Sequence, residues 1–212
     1  SQVGCRMGCR FCASTLKGKI RNLSAGEMLM QVSVVNRSNK VSSIVIMGVG
    51  EPLDNYDNLL RFLKNVNDPR GMNIGQRHIS VSTCGLVDKI KALAEEKFQI
   101  TLSVSLHAPD NETRNKLMPV NLKYGVEEVL DACRYYISRT GRRISFEYTL
   151  IKGVNDGVEQ AETLGRKLKG MLCHVNLIPV NYVSERGLFP SDKKTIGAFR
   201  DKLLAMKINT TV

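Results

Sequence analysis

The sequence has little of what would place a protein in a membrane or outside the cell. No run approaches the ~20 consecutive apolar residues that a spanning helix needs, and no basic-then-apolar export segment opens it. Nothing in it calls for a disulfide framework. With 212 residues, 42% of them hydrophobic, it can bury a sizeable core without such staples. Reduced thiols without an export pattern lead to the expectation of a cytoplasmic protein that makes no membrane contact. No G-x-G-x-x-G loop follows the first strand candidate, which weakens a dinucleotide fold. Linkers, internal repeats and low-complexity segments are also missing, so residues 1–212 are expected to form one domain. Acids are missing from one stretch: residues 1–26 carry Arg6, Arg10, Lys17, Lys19 and Arg21 and no Asp or Glu. Over the whole chain 31 Lys and Arg face 20 Asp and Glu, a net charge of +11 that suits a polyanion, nucleic acid before membrane. A second basic stretch, Arg134, Arg139, Arg142 and Arg143, reads equally well as a solvated face.

Short β-branched runs alternate with amphipathic stretches of helical length. Strands are expected at 43–48, 78–82, 100–106, 144–151 and 175–178, and Ile208 to Val212 reads as a strand cut short. Helices are expected at 24–37, 55–67, 86–97, 125–140, 156–169 and 191–206. Ser24 with Glu27 has capping-box spacing, Asp54–Asn55 is placed to cap the second helix, and Asn155–Asp156 to cap the fifth. Strands separated by helices imply a parallel α/β fold, best matched by a partial (β/α)6 barrel. In such a barrel functional residues gather at the carboxyl ends of the strands. The strand candidates end in Gly48-Val49-Gly50-Glu51-Pro52, Ser82-Thr83-Cys84-Gly85, Ser105-Leu106-His107-Ala108-Pro109 and Pro179-Val180-Asn181-Tyr182.

Cys5, Cys9 and Cys12 form a C-x3-C-x2-C run. Three thiolates this close can grip one soft metal centre, either an iron–sulfur cluster or zinc. Zinc would want a fourth ligand, and the next His and Cys, His78 and Cys84, lie far along the chain, so the spacing favours a cluster. Three ligands leave one iron open, as catalytic metal sites do. Cys84, Cys133 and Cys173 stand singly and read as core residues. Glycines at 48 and 50 allow close backbone approach to a ligand, and the Glu51 carboxylate suits an ammonium group. Hydroxyls of Ser82 and Ser105 and the amide of Asn181 can hold ribose or carboxylate oxygens. For His107 a packed, hydrogen-bonded ring competes with a general base.

The cysteine run with Phe11 before its last member resembles the signature of radical S-adenosylmethionine enzymes. The wider segments Ser1–Cys5, Phe11–Thr15, Arg21–Leu23, Met47–Tyr56, Ser103–Ala108 and Asn176–Asn181 are similar to the RlmN-type RNA adenine C2-methyltransferases, in order along essentially the whole chain. The resemblance implies that Cys5, Cys9 and Cys12 hold a [4Fe–4S] cluster whose open iron chelates the amino and carboxylate groups of S-adenosyl-L-methionine. It implies that Gly50 and Glu51 bind the methionine amino end, and that Ser82, Ser105, Leu106, His107 and Asn181 make further contacts to that cofactor. The implied substrates are adenosines of 23S rRNA and tRNA, with an electron donor such as flavodoxin or ferredoxin and a monomeric enzyme. In that family the methyl group rides on a protein cysteine that follows the last barrel strand, and an amino-terminal accessory domain assists RNA binding. Ser1 and the clipped final strand suggest that both lie outside this sequence, leaving the catalytic core with no methyl-carrying residue. Two other readings remain: a Cfr-like enzyme methylating C8 of adenine, and a non-enzymatic iron–sulfur protein that binds RNA.

Overall fold

The alternation of apolar runs and amphipathic stretches resolves into an open parallel barrel. The computed structural model describes residues 1–212. Its strands are β1 (Gln2–Gly4), β2 (Lys19–Asn22), β3 (Ile44–Ile46), β4 (Ile79–Thr83), β5 (Thr101–Ser105), β6 (Ile144–Leu150), β7 (Cys173–Pro179) and β8 (Thr210–Thr211). The helices are α1 (Ala25–Asn36), α2 (Tyr56–Asn67), α3 (Val87–Glu95), α4 (Asn111–Leu117), α5 (Val126–Thr140), α6 (Val158–Leu168) and α7 (Lys193–Ala205). Strands β3 to β8 pair in sequence order, all parallel, while β1 and β2 form a separate antiparallel pair. The expected α/β partial barrel is therefore the observed fold, and the six expected helices are present within a few residues of their bounds.

The sheet departs from an ordinary parallel sheet in having two unlike faces. Apolar residues such as Val81, Val104, Phe146, Tyr148, Val175 and Leu177 point out into the core beneath the helices. The alternate positions are small and polar, and the register lines them up. Ser82 neighbours Ser103, which neighbours Ser145 and then His174, and one step on Ser105, Glu147, Asn176 and Thr211 form a second row. A closed (β/α)8 barrel fills its lumen with bulky branched side chains. Small hydroxyl residues leave this lumen hollow at the ends of the strands.

Several local expectations are corrected. The stretch 43–48 was expected to be a buried strand, but β3 is the sheet edge and Val45 is 61% exposed. The capping box of Ser24 and Glu27 forms. Asp54 and Asn55 cap nothing with their side chains: Asp54 accepts from Gln2 and Lys19, and Asn55 donates to the carbonyls of Ser1 and Leu23. The helix after Gly153 is capped by Gln160, which accepts from the Gly157 N–H at 2.9 Å. Asn155 is taken up elsewhere. Its side chain accepts from Ile151 N (2.7 Å) and donates to the carbonyls of Thr149 (2.6 Å) and His107 (2.7 Å). It thereby ties the end of β6 to the turn after β5.

Asn155 is fully buried, so Asn155→Ala removes these three bonds and strands their partners. At ~1 kcal/mol per bond the expected loss is on the order of 3 kcal/mol, read from the urea midpoint. A loss below ~0.5 kcal/mol would contradict the assigned role.

Candidate metal and cofactor site

The loop that carries the three cysteines is pinned at both ends and in the middle. Cys5 N–H donates to the Gly18 carbonyl (3.1 Å) and Arg10 N–H to that of Leu117 (2.9 Å). Thr15 Oγ1 donates to the carbonyls of Cys9 (3.2 Å) and Cys12 (3.0 Å), and Arg186, from the loop after β7, donates to Thr15 Oγ1 at 2.7 Å. Gly4 has to be glycine. Its φ is +76°, and a Cβ there would sit 1.9 Å from the Gly18 carbonyl oxygen.

Cys5, Cys9 and Cys12 line a cavity of about 210 Å³ at the carboxyl ends of the strands. With them stand Gly50, Glu51, Ser82, Ser105 and His107, five of the seven residues expected to contact a cofactor. Leu106 and Asn181 do not line it. Leu106 is fully buried with its side chain in the hydrophobic core, and Asn181 lies exposed two residues beyond β7. The sequence reading missed Thr83, Cys84, Glu147 and Thr149, which also line the cavity. For Glu147 there was a signal, an acid in the middle of an apolar strand at a lumen position. A wider groove of about 670 Å³ lies outside the same loop, but it touches none of the cysteines.

Glu51 is buried, and its two oxygens accept from Leu53 N (3.0 Å) and Cys84 N (2.7 Å). Burial pushes its pKa up, against the pull of Cys84 N–H, the Thr83 side chain and Leu53 N–H. No cation pairs with it. A buried carboxylate of this kind is costly alone and is complemented by an ammonium group. Gly50 lets the backbone approach: its φ is +92°, and a Cβ would fall 2.4 Å from the Gln2 side chain. Gln2 in turn accepts from Glu51 N at 2.8 Å, joining the β1–β2 hairpin to the site.

His107 is a packed histidine and not a general base. Its φ is +57°, its Nδ1 accepts from Thr149 N at 2.9 Å, and Phe11 meets its ring edge-on at 4.7 Å. The proton therefore sits on Nε2. Burial, then the charge of Arg114, pushes its pKa down to about 3.

Burial pushes Cys9 up to about 12, helped by repulsion from Cys12, Cys5 and Glu51, and burial raises Cys5 as well. All six cysteines are free. The three thiols share a cavity and do not converge on the single point a lone ion requires. Ligands spread over separate irons suit that arrangement, so the residues fit an iron–sulfur cluster better than zinc.

The positive neighbourhood expected around the loop is reduced. Arg6 and Lys19 pair with Asp54, and Arg21 with Glu27, which leaves Arg10 and Lys17 without carboxylates. In the second basic stretch Arg134 pairs with Asp131 and Arg139 with Glu95, as on a solvated face.

The sequence model of the radical SAM superfamily matches residues 1–164. The chain belongs to that superfamily. Membership implies a [4Fe–4S] cluster and S-adenosylmethionine, which accord with the cysteine and Glu51 geometry. Among relatives of this radical SAM chain, the "Probable dual-specificity RNA methyltransferase RlmN" of Clostridium novyi is 56% identical over 100% of this chain and 62% of the relative. The protein of the same name from Lachnospira eligens is 56% identical, with 61% of it covered. The chain thus spans a little over 60% of the length of these curated relatives. The crystal structure of a radical SAM methyltransferase from Sphaerobacter thermophilus superposes with a TM-score of 0.96 at 46% identity, over 100% of this chain and 63% of that one. The Streptococcus suis protein SuiB, solved bound to S-adenosylmethionine, shares the fold alone, with a TM-score of 0.74 at 16% identity over 99% of this chain and 48% of that one. No helix is long and apolar enough to cross a membrane.

Burial of neutral His107 predicts a specific acid sensitivity. The unfolded chain takes up a proton near the ordinary value of 6.5, whereas the folded protein resists until about 3. Stability from this group is therefore present above pH ~6.5 and is lost as the pH falls from there towards ~3. His107→Asn, which tolerates the left-handed backbone, should flatten the fall in urea midpoint between pH ~7 and ~5. An unchanged slope would contradict the assignment.

Proposed function

We propose that residues 1–212 are the radical SAM core domain of an RlmN-type methyltransferase acting on C2 of adenosine in 23S rRNA and tRNA. One observation carries this reading: three free cysteines and a buried carboxylate without a cation line a single cavity at the carboxyl end of the sheet. The names and identities of the relatives support the RNA substrate.

Cys5, Cys9 and Cys12 would hold the cluster. Glu51, with Gly50, would accept from the amino group of S-adenosylmethionine, and Ser82 and Ser105 offer hydroxyls to its polar oxygens. His107 offers an Nε2–H donor and Asn181 an amide, while Leu106, its backbone taken up by Glu147 and Arg114, serves to hold the end of β5 in place. When bound, the cluster supplies one electron for reductive cleavage of the sulfonium, the radical chemistry that an unreactive adenine C2–H needs. Met118 and Phe11 supply apolar surface to the cavity. An adenine inside folded RNA must be unstacked to reach the cavity, and the exposed Arg10 and Lys17 of the cysteine loop are free to meet phosphates.

No cysteine within 1–212 suits the methyl-carrying role. Cys133 is fully buried in α5, and Cys173 starts β7, at the far end from the cavity. Cys84 does line the cavity, but burial and the neighbouring Glu51 push its thiol well up. The methyl-carrying cysteine and the RNA-binding accessory domain are therefore assigned to residues outside 1–212. The electron donor is a flavodoxin or ferredoxin, and the protein is a cytoplasmic monomer.

Anaerobic reconstitution with iron and sulfide, followed by dithionite and S-adenosylmethionine, should give a brown protein that forms 5′-deoxyadenosine. Cys12→Ala should lose the cluster. Glu51→Gln should weaken S-adenosylmethionine binding roughly 10- to 100-fold, the worth of a charge-assisted hydrogen bond. An rRNA fragment should not be methylated through many turnovers by this chain alone. A loaded protein that forms no 5′-deoxyadenosine overturns the enzymatic reading. Sustained methylation by 1–212 overturns the assignment of the missing cysteine, and a methyl group mapped to C8 overturns the C2 assignment.

A further inference from the structure

Arg114, on α4, heads the fully buried side chains in size, and no carboxylate pairs with it. Its guanidinium donates to the carbonyls of Cys84 (2.8 Å), Ser105 (3.1 Å), Leu106 (3.0 Å) and Tyr124 (3.3 Å) and to Asn121 Oδ1 (2.8 Å). Every acceptor is neutral. Burial brings its pKa down to about 10, which still leaves it charged at neutral pH. A buried cation without a counter-ion costs several kcal/mol after relaxation, on the order of what a broken buried pair loses. Satisfying carbonyls alone does not explain the charge.

Cys84, whose carbonyl Arg114 holds, lines the cavity together with Glu51, Cys5, Cys9 and Cys12. The Glu51 carboxylate holds the N–H of Cys84 while Arg114 holds its carbonyl, so the two side chains grip the same residue from its two peptide groups without pairing. An ammonium group on Glu51 would satisfy that carboxylate and leave Arg114 to the cysteines. Cys9 packs with Cys84, Leu117 and Met118, the last two completing the turn of α4 that carries Arg114.

We propose that Arg114 is a positioning residue with two separable effects: its fork fixes the ends of β4 and β5 around the cofactor, and its charge raises the reduction potential of the cluster held by Cys5, Cys9 and Cys12. This rests on the cluster reading above. A cluster with three thiolates carries net negative charge, and taking one electron from the external donor adds another without forming or breaking a bond. A fixed cation in a low-dielectric surrounding favours that step. Arginine suits both effects because five donors in a rigid plane can meet five acceptors, whereas a lysine has three on a flexible stem.

Three variants of the reconstituted protein separate fork from charge, with the midpoint potential and the S-adenosylmethionine dissociation constant as readouts. Arg114→Gln loses both, so the potential should fall and binding weaken. Arg114→Lys keeps the charge and loses the fork, so binding should weaken while the potential stays near that of the wild type. Asn121→Asp sets a carboxylate against Nη1 and keeps the fork, so the potential should fall with binding within about twofold. A tenfold bias against the reduced state corresponds to about 59 mV for one electron. Should Arg114→Gln fail to fold, Asn121→Asp still reads the charge. An unmoved potential in Asn121→Asp, or a fall in Arg114→Lys matching that in Asn121→Asp, overturns the proposal. A wild type that takes up no cluster overturns it together with the cluster reading, a result distinct from a loaded protein with unmoved potentials.

Discussion

A buried carboxylate and a buried guanidinium meet across the backbone of Cys84. Glu51 accepts its N–H at 2.7 Å and Arg114 donates to its carbonyl at 2.8 Å. Glu51 reaches there from the end of β3 and Arg114 from α4, whose fork also holds the end of β5. The mouth of the cavity is thus set by charged groups satisfying backbone atoms that a parallel sheet leaves unpaired at its carboxyl edge. Gln2 and Asn55 extend the same arrangement to the β1–β2 hairpin, and through it to the cysteine loop.

This scaffold explains why the cavity is hollow and polar. The rows from Ser82 to His174 and from Ser105 to Thr211 place small hydroxyl, amide and acid groups where a closed barrel packs branched aliphatics. Glu147 sits within the second row, accepting from Ser145 Oγ (3.2 Å) and Asn176 Nδ2 (2.7 Å). The two buried carboxylates are held differently. Side chains of its own sheet hold Glu147, and backbone N–H groups of Leu53 and Cys84 hold Glu51.

Much of this was legible in the sequence, because helix and strand periods are local. Six of the seven helices (all but α4), the order of the strands and the clustering of Cys5, Cys9, Cys12, Gly50, Glu51, Ser82, Ser105 and His107 follow from short-range patterns and from strand ends sharing one side of a barrel. What escaped depends on contacts between distant segments. Arg114 looks like an ordinary surface residue of a short helix until its acceptors on four segments are assembled. Asn155 has the chemistry of a cap and is captured by His107 and Thr149 instead. The β1–β2 pair has strands of 3 and 4 residues, too short for a period to register. The basic stretch at the amino end was read without Asp54, the acid that answers two of its cations.

The proposed site requires that the iron left without a cysteine take the ligand's amino-acid end, beside Glu51. Electron–nuclear double resonance on the reduced, reconstituted protein reads this directly, using S-adenosylmethionine labelled with nitrogen-15 at its amino group. A hyperfine coupling from that nitrogen, reduced or lost in Glu51→Gln, is the expected result. An intact, reduced cluster with no coupling to the label at saturating S-adenosylmethionine would contradict it.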